Sequence, residues 1–173
     1  MMMRRLKKSQ HGFSLVEALV AFLVISVGML GIASLQTVSL RAGSTAAMRS
    51  IAVIKAGEII ERMRANPTQV LSYAVATGAT GTDNNCTDIG SVSACSPAEL
   101  AADDIYHWLR DLKAAMPNNG AADASITVTP PGATDALSVV TVTINWSERA
   151  TDSQALSAQS YSLTAEICGA LKC

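Results

Sequence analysis

The stretch from Phe13 to Leu40 reads FSLVEALVAFLVISVGMLGIASLQTVSL and contains one charged residue, Glu17. As an α-helix, the uncharged part from Ala18 to Leu40 would extend about 35 Å, which exceeds the roughly 30 Å of hydrocarbon in a bilayer. A secretory signal has a shorter apolar region of roughly 7–15 residues, and no clear Ala-x-Ala site follows this one. The sequence therefore predicts a membrane-spanning helix over residues 13–40.

Charge is distributed unevenly on either side of this apolar stretch. Four basic residues and no acidic residue precede it, namely Arg4, Arg5, Lys7 and Lys8. From Arg41 onward there are 9 basic and 13 acidic residues. The positive-inside rule predicts a cytoplasmic N-terminus and a periplasmic location for everything after Arg41. The acidic C-terminal part argues against nucleic-acid binding, and the 49% hydrophobic content excludes a disordered chain.

The helical pattern continues beyond the apolar stretch. Apolar residues at helical spacing form one stripe, consisting of Met48, Ala52, Ala56, Ile59, Ile60 and Met63. The Asn66-Pro67 pair ends this pattern, because the residue before a proline is displaced from the α region. We therefore predict one helix over residues 13–65 whose second half is amphipathic and packs on a globular head, residues 66–173.

The head has the pattern of a small α+β fold with an antiparallel sheet. A second helix is predicted over Pro97–Ala115, with Ser96 as its N-cap and Glu99 in its first turn. Three alternating segments rich in β-branched residues predict strands at Ser125–Thr129, Leu137–Trp146 and Ser160–Ile167. The linkers are predicted at Pro130–Gly132 and Ser147–Leu156, and Thr68–Ala98 is predicted to be a loop with one short strand.

All four cysteines lie in the head, at Cys86, Cys95, Cys168 and Cys173. An even number in an exported domain predicts two disulfides. Three pairings are possible, and Cys86–Cys95 with Cys168–Cys173 is favoured because each closes a short loop. The cysteine spacings are not those of zinc knuckles. No metal site and no cofactor are predicted.

The segment Asp103-Asp104-Ile105-Tyr106-His107 contains two acids and the only histidine of the head. No nucleophile elbow lies near it. We therefore predict no enzyme activity there. Trp108 and Trp146 are predicted to be core residues, and Arg62 and Arg64 are predicted to form a solvated face.

The residues around Glu17 carry the most specific motif. Gly12-Phe13-Ser14-Leu15-Val16-Glu17 after a short basic leader resembles the processing motif of type IV prepilins and pseudopilins. In that family, a membrane-embedded aspartyl peptidase cuts after the glycine and methylates the new N-terminal amine. The resemblance implies that residues 1–12 are a cleaved leader and that Phe13 becomes N-methylated. Glu17 then matches the glutamate at the fifth position of the mature family members.

The position of Glu17 also has a physical rationale. A carboxylate at the start of a helix is stabilised by the helix dipole, and it can pair with the charged amine of Phe13 in its own or a neighbouring chain. The family uses the neighbour's amine during filament assembly. The alternative is that Glu17 only reaches out to the lipid headgroups.

Three segments are similar to the PilV family of minor pilins, the type IV pilus modification proteins. They are Val16-Glu17-Ala18-Leu19-Val20, Gly28-Met29-Leu30-Gly31 and Glu61-Arg62-Met63-Arg64-Ala65-Asn66-Pro67. This resemblance implies a low-abundance subunit that helps prime pilus assembly and caps the tip, in support of twitching motility and adhesion. Gly28 and Gly31 provide either close helix packing or a local loosening of the helix when it moves from lipid into a filament.

The partners implied are other minor pilins and the major pilin, the prepilin peptidase and methyltransferase, the inner-membrane assembly machinery, and lipid before assembly. The expected location is the bacterial inner membrane and then a pilus on the cell surface. Three alternatives stay open at this point. The first is a minor pseudopilin of a type II secretion system. The second is a membrane-anchored periplasmic binding module, such as a tip adhesin or a DNA-uptake pilin, and the third is a membrane-anchored periplasmic enzyme.

Overall fold

The computed structural model describes residues 12–86, 95–116, 122–132, 136–149 and 155–169, so the predicted leader lies outside it except for Gly12. The elements, in chain order, are helix α1 (Leu15–Ala65), a 3₁₀ helix (Pro67–Tyr73), helix α2 (Pro97–Ala115) and strands β1 (Asp123–Thr129), β2 (Leu137–Arg149) and β3 (Leu156–Cys168). The chain divides into two compact units. The first ends at Gly43, and the second, here called the head unit, begins at Ser44. The predicted α+β fold is confirmed.

The amphipathic half of α1 supplies one side of the core of the head unit. The stripe predicted from its spacing is buried at Ala52, Ala56, Ile59, Ile60 and Met63, with relative exposures of 3% or less. Met48, at the start of the stripe, is half-buried and packs against the same core. A single hydrophobic cluster contains these residues together with buried residues from α2 and all three strands.

Helix α2 has the bounds that its local sequence predicts. The Ser96 hydroxyl accepts a hydrogen bond from the backbone N–H of Glu99, and the Glu99 carboxylate accepts one from the backbone N–H of Ser96. This capping box satisfies backbone donors that the first turn would otherwise leave without partners. The buried face of α2 includes Ile105, Trp108, Leu109 and Leu112, while Leu100 is only half-buried.

The sheet has the order β1-β2-β3, with antiparallel pairing throughout. Alternate β2 side chains enter the core at Ser138, Val140, Val142, Ile144 and Trp146. On the opposite face, hydroxyl groups pair across β2 and β3, at 3.1 Å between Thr141 and Thr164 and at 2.9 Å between Thr143 and Ser162. One face of the sheet is therefore apolar, and the other is mostly polar apart from Leu137 and Val139, as is common for an antiparallel sheet.

The predicted linker Ser147–Leu156 is wrong at both ends. Strand β2 continues to Arg149 and β3 already begins at Leu156, so that these two residues are paired. Polar residues such as Ser147 and Ser157 interrupt the apolar alternation that marks a strand in sequence. Backbone pairing between neighbouring strands does not depend on that alternation, so the hairpin extends further than the pattern predicts.

The segment after α1 is more regular than the predicted loop. Pro67–Tyr73 is a 3₁₀ helix in which Val70 and Tyr73 are buried. Their spacing of three residues matches one turn of a 3₁₀ helix and places both side chains on one face. Beyond it, Val75 forms a β-bridge with Ile126 of β1 through two backbone hydrogen bonds of 2.9 and 2.8 Å.

One of the two predicted disulfides lies entirely within the described residues. Cys86 and Cys95 form a disulfide, which is the pairing that the short intervening segment favoured. Cys168 is also disulfide-bonded, and Cys173 lies outside the described residues.

Candidate processing and assembly site

The predicted cleavage point precedes the first helical residue. Gly12, Phe13 and Ser14 are not in regular secondary structure, and all three are exposed, Phe13 to 78%. Helix α1 begins at Leu15, and the backbone N–H of Ala18 donates to the Ser14 carbonyl at 3.2 Å. The Gly12–Phe13 peptide bond is therefore outside the helical hydrogen bonds.

Glu17 lies in the first turn of α1 and is exposed. The backbone N–H groups of a first turn give this end of the helix partial positive charge, which stabilises a carboxylate. From Ala18 to Leu40 no other charged residue follows. Glu17 is thus the single point of charge at the start of an apolar helix, close to the amine that cleavage before Phe13 would create.

The helix beyond Glu17 exposes apolar side chains all round. Its exposed large residues include Leu19, Phe22, Ile25, Val27, Leu30, Ile32, Leu35, Val38 and Leu40. An 18-residue window of α1 has a mean hydropathy of 2.5 and is 0% buried, which makes α1 a candidate membrane span. A surface of this kind needs either lipid or other apolar helices around it.

The polar side chains within this segment are compatible with an apolar environment. The Ser26 hydroxyl donates to the Phe22 carbonyl at 2.7 Å, and the Thr37 hydroxyl donates to the Ala33 carbonyl at 3.0 Å. Both groups therefore bond to the helix itself and need no water.

The two glycines of this segment leave the helix continuous. Residues around Gly28 and Gly31 are α-helical, and a Cβ added at either position would meet nothing within 4 Å. The single chain therefore does not itself require glycine at either position, so a need for it would come from neighbouring helices or from the transfer into a filament. That role stays a prediction, which the incorporation of a Gly28→Leu, Gly31→Leu variant would measure.

An ion-pair network connects α1 to the rest of the head unit. The Arg62 guanidinium donates to Glu58 at 2.7 Å and to Asp104 of α2 at 3.0 Å. The Tyr73 hydroxyl donates to the other oxygen of Asp104 at 2.6 Å. The prediction of a solvated face is therefore wrong for Arg62, because its side chain binds Asp104 of α2. The sequence does not reveal this pair, because the two residues are far apart along the chain. Arg64 fits the prediction better, being half-exposed and paired with Glu61.

The network fixes the protonation states of Tyr73 and Arg62. Burial raises the pKa of the Tyr73 hydroxyl far above its ordinary value, and the Asp104 carboxylate raises it further. Burial by itself lowers the pKa of Arg62, but hydrogen bonds to Glu58 and Asp104 outweigh it and keep that pKa above its ordinary value. Tyr73 therefore stays neutral and Arg62 stays charged, so that the junction between α1 and α2 keeps its hydrogen bonds.

A second cluster in the head unit was not predicted from the sequence. Asp83, Asp103 and His107 offer ligand atoms that all lie within 4.8 Å of one another. The sequence indicates part of this cluster, because Asp103 and His107 are four residues apart and therefore lie on one face of a helix. Asp83 could not be associated with them, because it comes from the preceding loop.

Comparisons with known protein families agree with the N-terminal geometry. The model of the prokaryotic N-terminal methylation motif matches residues 7–33, which include Gly12, Phe13 and Glu17. The Tt1218-like model, described as type IV pilin Tt1218, matches residues 34–106. Searches of curated proteins and of solved structures found no match. A methylation motif followed by a type IV pilin match supports the identification of this chain as a member of the type IV pilin superfamily.

The two family matches also bear on function. They support a role as a pilin or pseudopilin and point to a structural protein rather than an enzyme. The N-methylation motif implies processing by a prepilin peptidase and assembly with other pilins. The exposed apolar half of α1 fits membrane anchoring.

Proposed function

We propose that this chain is a minor pilin that helps to start the assembly of a type IV pilus, sits at the pilus tip, and supports twitching motility and adhesion. The observation that carries the proposal is the single carboxylate of Glu17 in the first turn of an otherwise apolar, exposed helix. A membrane anchor alone has no need of a charge at that depth, which costs about 2.5–3.5 kcal/mol at a bilayer centre and less near its surface. A helix whose assembly depends on pairing with the amine of a neighbouring chain does need this charge.

Before assembly, the chain spans the inner membrane with a cytoplasmic N-terminus and a periplasmic head. The prepilin peptidase removes residues 1–12, and with them the basic residues that would otherwise bring charge into the filament core. The new amine at Phe13 is methylated and stays charged. The apolar part of α1 then leaves the lipid and packs against the helices of other pilins, including the major pilin, and Glu17 pairs with a neighbour's amine.

The segment similar to the PilV family forms a structural junction in this fold. Met63 is fully buried, and Arg62 binds Asp104 of α2. The Asn66 side chain donates to the Pro97 carbonyl at 2.7 Å, and Pro67 starts the 3₁₀ helix. This segment therefore attaches α1 to α2. The resemblance supports a head built like that of this minor-pilin family, with a surface that selects the neighbouring subunits.

The second candidate is a minor pseudopilin of a type II secretion system, since the same N-terminal motif and apolar helix serve both filaments. A deletion strain separates the two. We expect the deletion to remove surface pili and twitching while secretion of exoproteins continues, because the missing subunit would act at pilus initiation. Pili are measured by shearing and immunoblotting, and secretion by the proteins released into the medium.

The control is the deletion strain carrying the wild-type gene, which should regain pili and twitching. A strain that keeps normal pili but no longer secretes exoproteins would refute the pilus assignment and support the pseudopilin.

A further inference from the structure

Three side chains of metal-ligand type converge on one side of α2. The His107 Nε2 atom lies 3.5 Å from Asp103 Oδ2 and 4.0 Å from Asp83 Oδ1. Asp103 is fully buried, the His107 side chain is 17% exposed, and the Asp83 side chain is 40% exposed. The cluster is therefore closed on the side of α2 and open on the side of Asp83.

Two atoms at the centre of this cluster have no hydrogen-bond partner among the described residues, Asp103 Oδ2 and His107 Nε2. The other oxygen of Asp103 accepts the backbone N–H of Asn84 at 2.8 Å. A buried carboxylate oxygen without a donor is costly and rare. The 3.5 Å separation from His107 is too long for an N–H···O hydrogen bond. A cation between the two atoms would satisfy both.

The fold holds the third residue of the cluster close to α2. Loop residue Asn84 donates from its side chain to the Glu99 carbonyl at 2.9 Å, and the Thr82 N–H donates to the Ala102 carbonyl at 3.4 Å. A disulfide joins Cys86, two residues after Asn84, to Cys95, which directly precedes the N-cap of α2. Asp83 lies between Thr82 and Asn84, so these bonds fix its backbone beside the helix.

Gly81 makes this close approach possible. Its φ of +70° is in the left-handed region, and an added Cβ would lie 2.5 Å from the backbone nitrogen of Tyr106. Any other residue at this position would push the loop, and Asp83 with it, away from α2.

We infer that Asp83, Asp103 and His107 bind a divalent transition-metal ion, with Zn²⁺ as the expected occupant. One imidazole and two carboxylates suit Zn²⁺, whereas Ca²⁺ and Mg²⁺ are bound by oxygen ligands. Two ligands of a tetrahedral ion bound at about 2.1 Å are about 3.4 Å apart, close to the 3.5 Å between Asp103 and His107. The Asp83 side chain is 40% exposed, so it can move towards the other two ligands, and the open side leaves room for a fourth ligand.

A bound ion would connect the loop to α2 and thereby stabilise one surface of the head unit. The cysteines cannot supply the ligands instead, since Cys86, Cys95 and Cys168 are disulfide-bonded. The inference does not depend on the pilus proposal, because a pseudopilin with this head would bind the same ion.

The test uses the untagged, oxidised full-length chain in detergent, stripped with a chelator and then titrated with Zn²⁺ against a chromophoric competitor. We expect one Zn²⁺ per chain. Affinity should fall by at least about 100-fold in both Asp83→Asn and His107→Gln, because losing a ligand costs no less than losing a residue that orients one. Co²⁺ should give the visible absorption bands of a tetrahedral site in the wild type and lose them in both variants. Asp83→Asn alters an exposed loop side chain, so it tests the site without disturbing the core.

The matched control is Asp111→Asn, which removes an acidic residue on the same helix that pairs only with the neighbouring Arg110 among the interactions described. It should bind Zn²⁺ like the wild type. His11, the other histidine of the chain, is present in every variant and contributes equally. Wild-type affinity in Asp83→Asn and His107→Gln would overturn the site, and displacement of Zn²⁺ by an equal concentration of Ca²⁺ would overturn the choice of metal.

Discussion

Glu17→Ala is expected to abolish entry of the subunit into filaments while leaving the chain in the membrane. The reason is that the amine of the neighbouring chain would enter an apolar helix bundle without its partner. Removing one member of a buried ion pair costs about 3–5 kcal/mol, which corresponds to a reduction in incorporation of at least about a hundredfold. The measurement is the amount of subunit in sheared filaments relative to the amount in the membrane fraction.

Two further variants make this result specific. Glu17→Gln keeps the shape of the side chain without its charge and should behave like alanine. Glu61→Gln removes an acidic residue of the same helix that is 68% exposed and pairs with Arg64, and it should be incorporated normally. Filaments that contain the Glu17→Ala subunit at the wild-type level would show that charge pairing does not guide assembly.

Trp108→Ala is expected to be the most damaging single truncation in the head. Trp108 is fully buried, and its indole N–H donates to the Lys55 carbonyl of α1 at 2.8 Å. Truncating a buried aromatic residue to alanine costs about 3–5 kcal/mol, a large fraction of the stability of a domain of this size. Trp108→Phe should cost less, because it keeps most of the ring and loses mainly the hydrogen bond.

Urea unfolding of the detergent-solubilised chain measures this effect, with the fluorescence of Trp146 as a reporter that every variant retains. Leu71→Ala is the control, since Leu71 is 56% exposed and should change the free energy of unfolding by less than about 0.5 kcal/mol. A similar unfolding midpoint for Trp108→Ala and Leu71→Ala would mean that α2 is not held to α1 in the way described.

The sequence predicted those features of the fold that depend on residues close together along the chain. The capping box of Ser96 and Glu99 fixed the start of α2, and the helical spacing of apolar residues identified the face of α1 that is buried. The Asn66-Pro67 pair likewise marked the end of α1. Each of these features depends on residues within about one or two helical turns, so its pattern is readable without the fold.

Features that depend on distant residues could not be predicted in the same way. Arg62 was assigned to solvent because its partner Asp104 is 42 residues away. The long β2–β3 hairpin follows from strand pairing, which polar side chains at its outer end do not reveal. Asp83 joins Asp103 and His107 only because Gly81 and the Cys86–Cys95 disulfide bring the loop against α2.

The most direct test of the central claim is mass spectrometry of the N-terminus of this subunit recovered from sheared surface pili. We expect few copies relative to the major pilin, each beginning at Phe13 with one methyl group on its amine and lacking residues 1–12. A subunit that keeps its basic leader, or one cut near Ala42 and released from its apolar helix, would contradict the account.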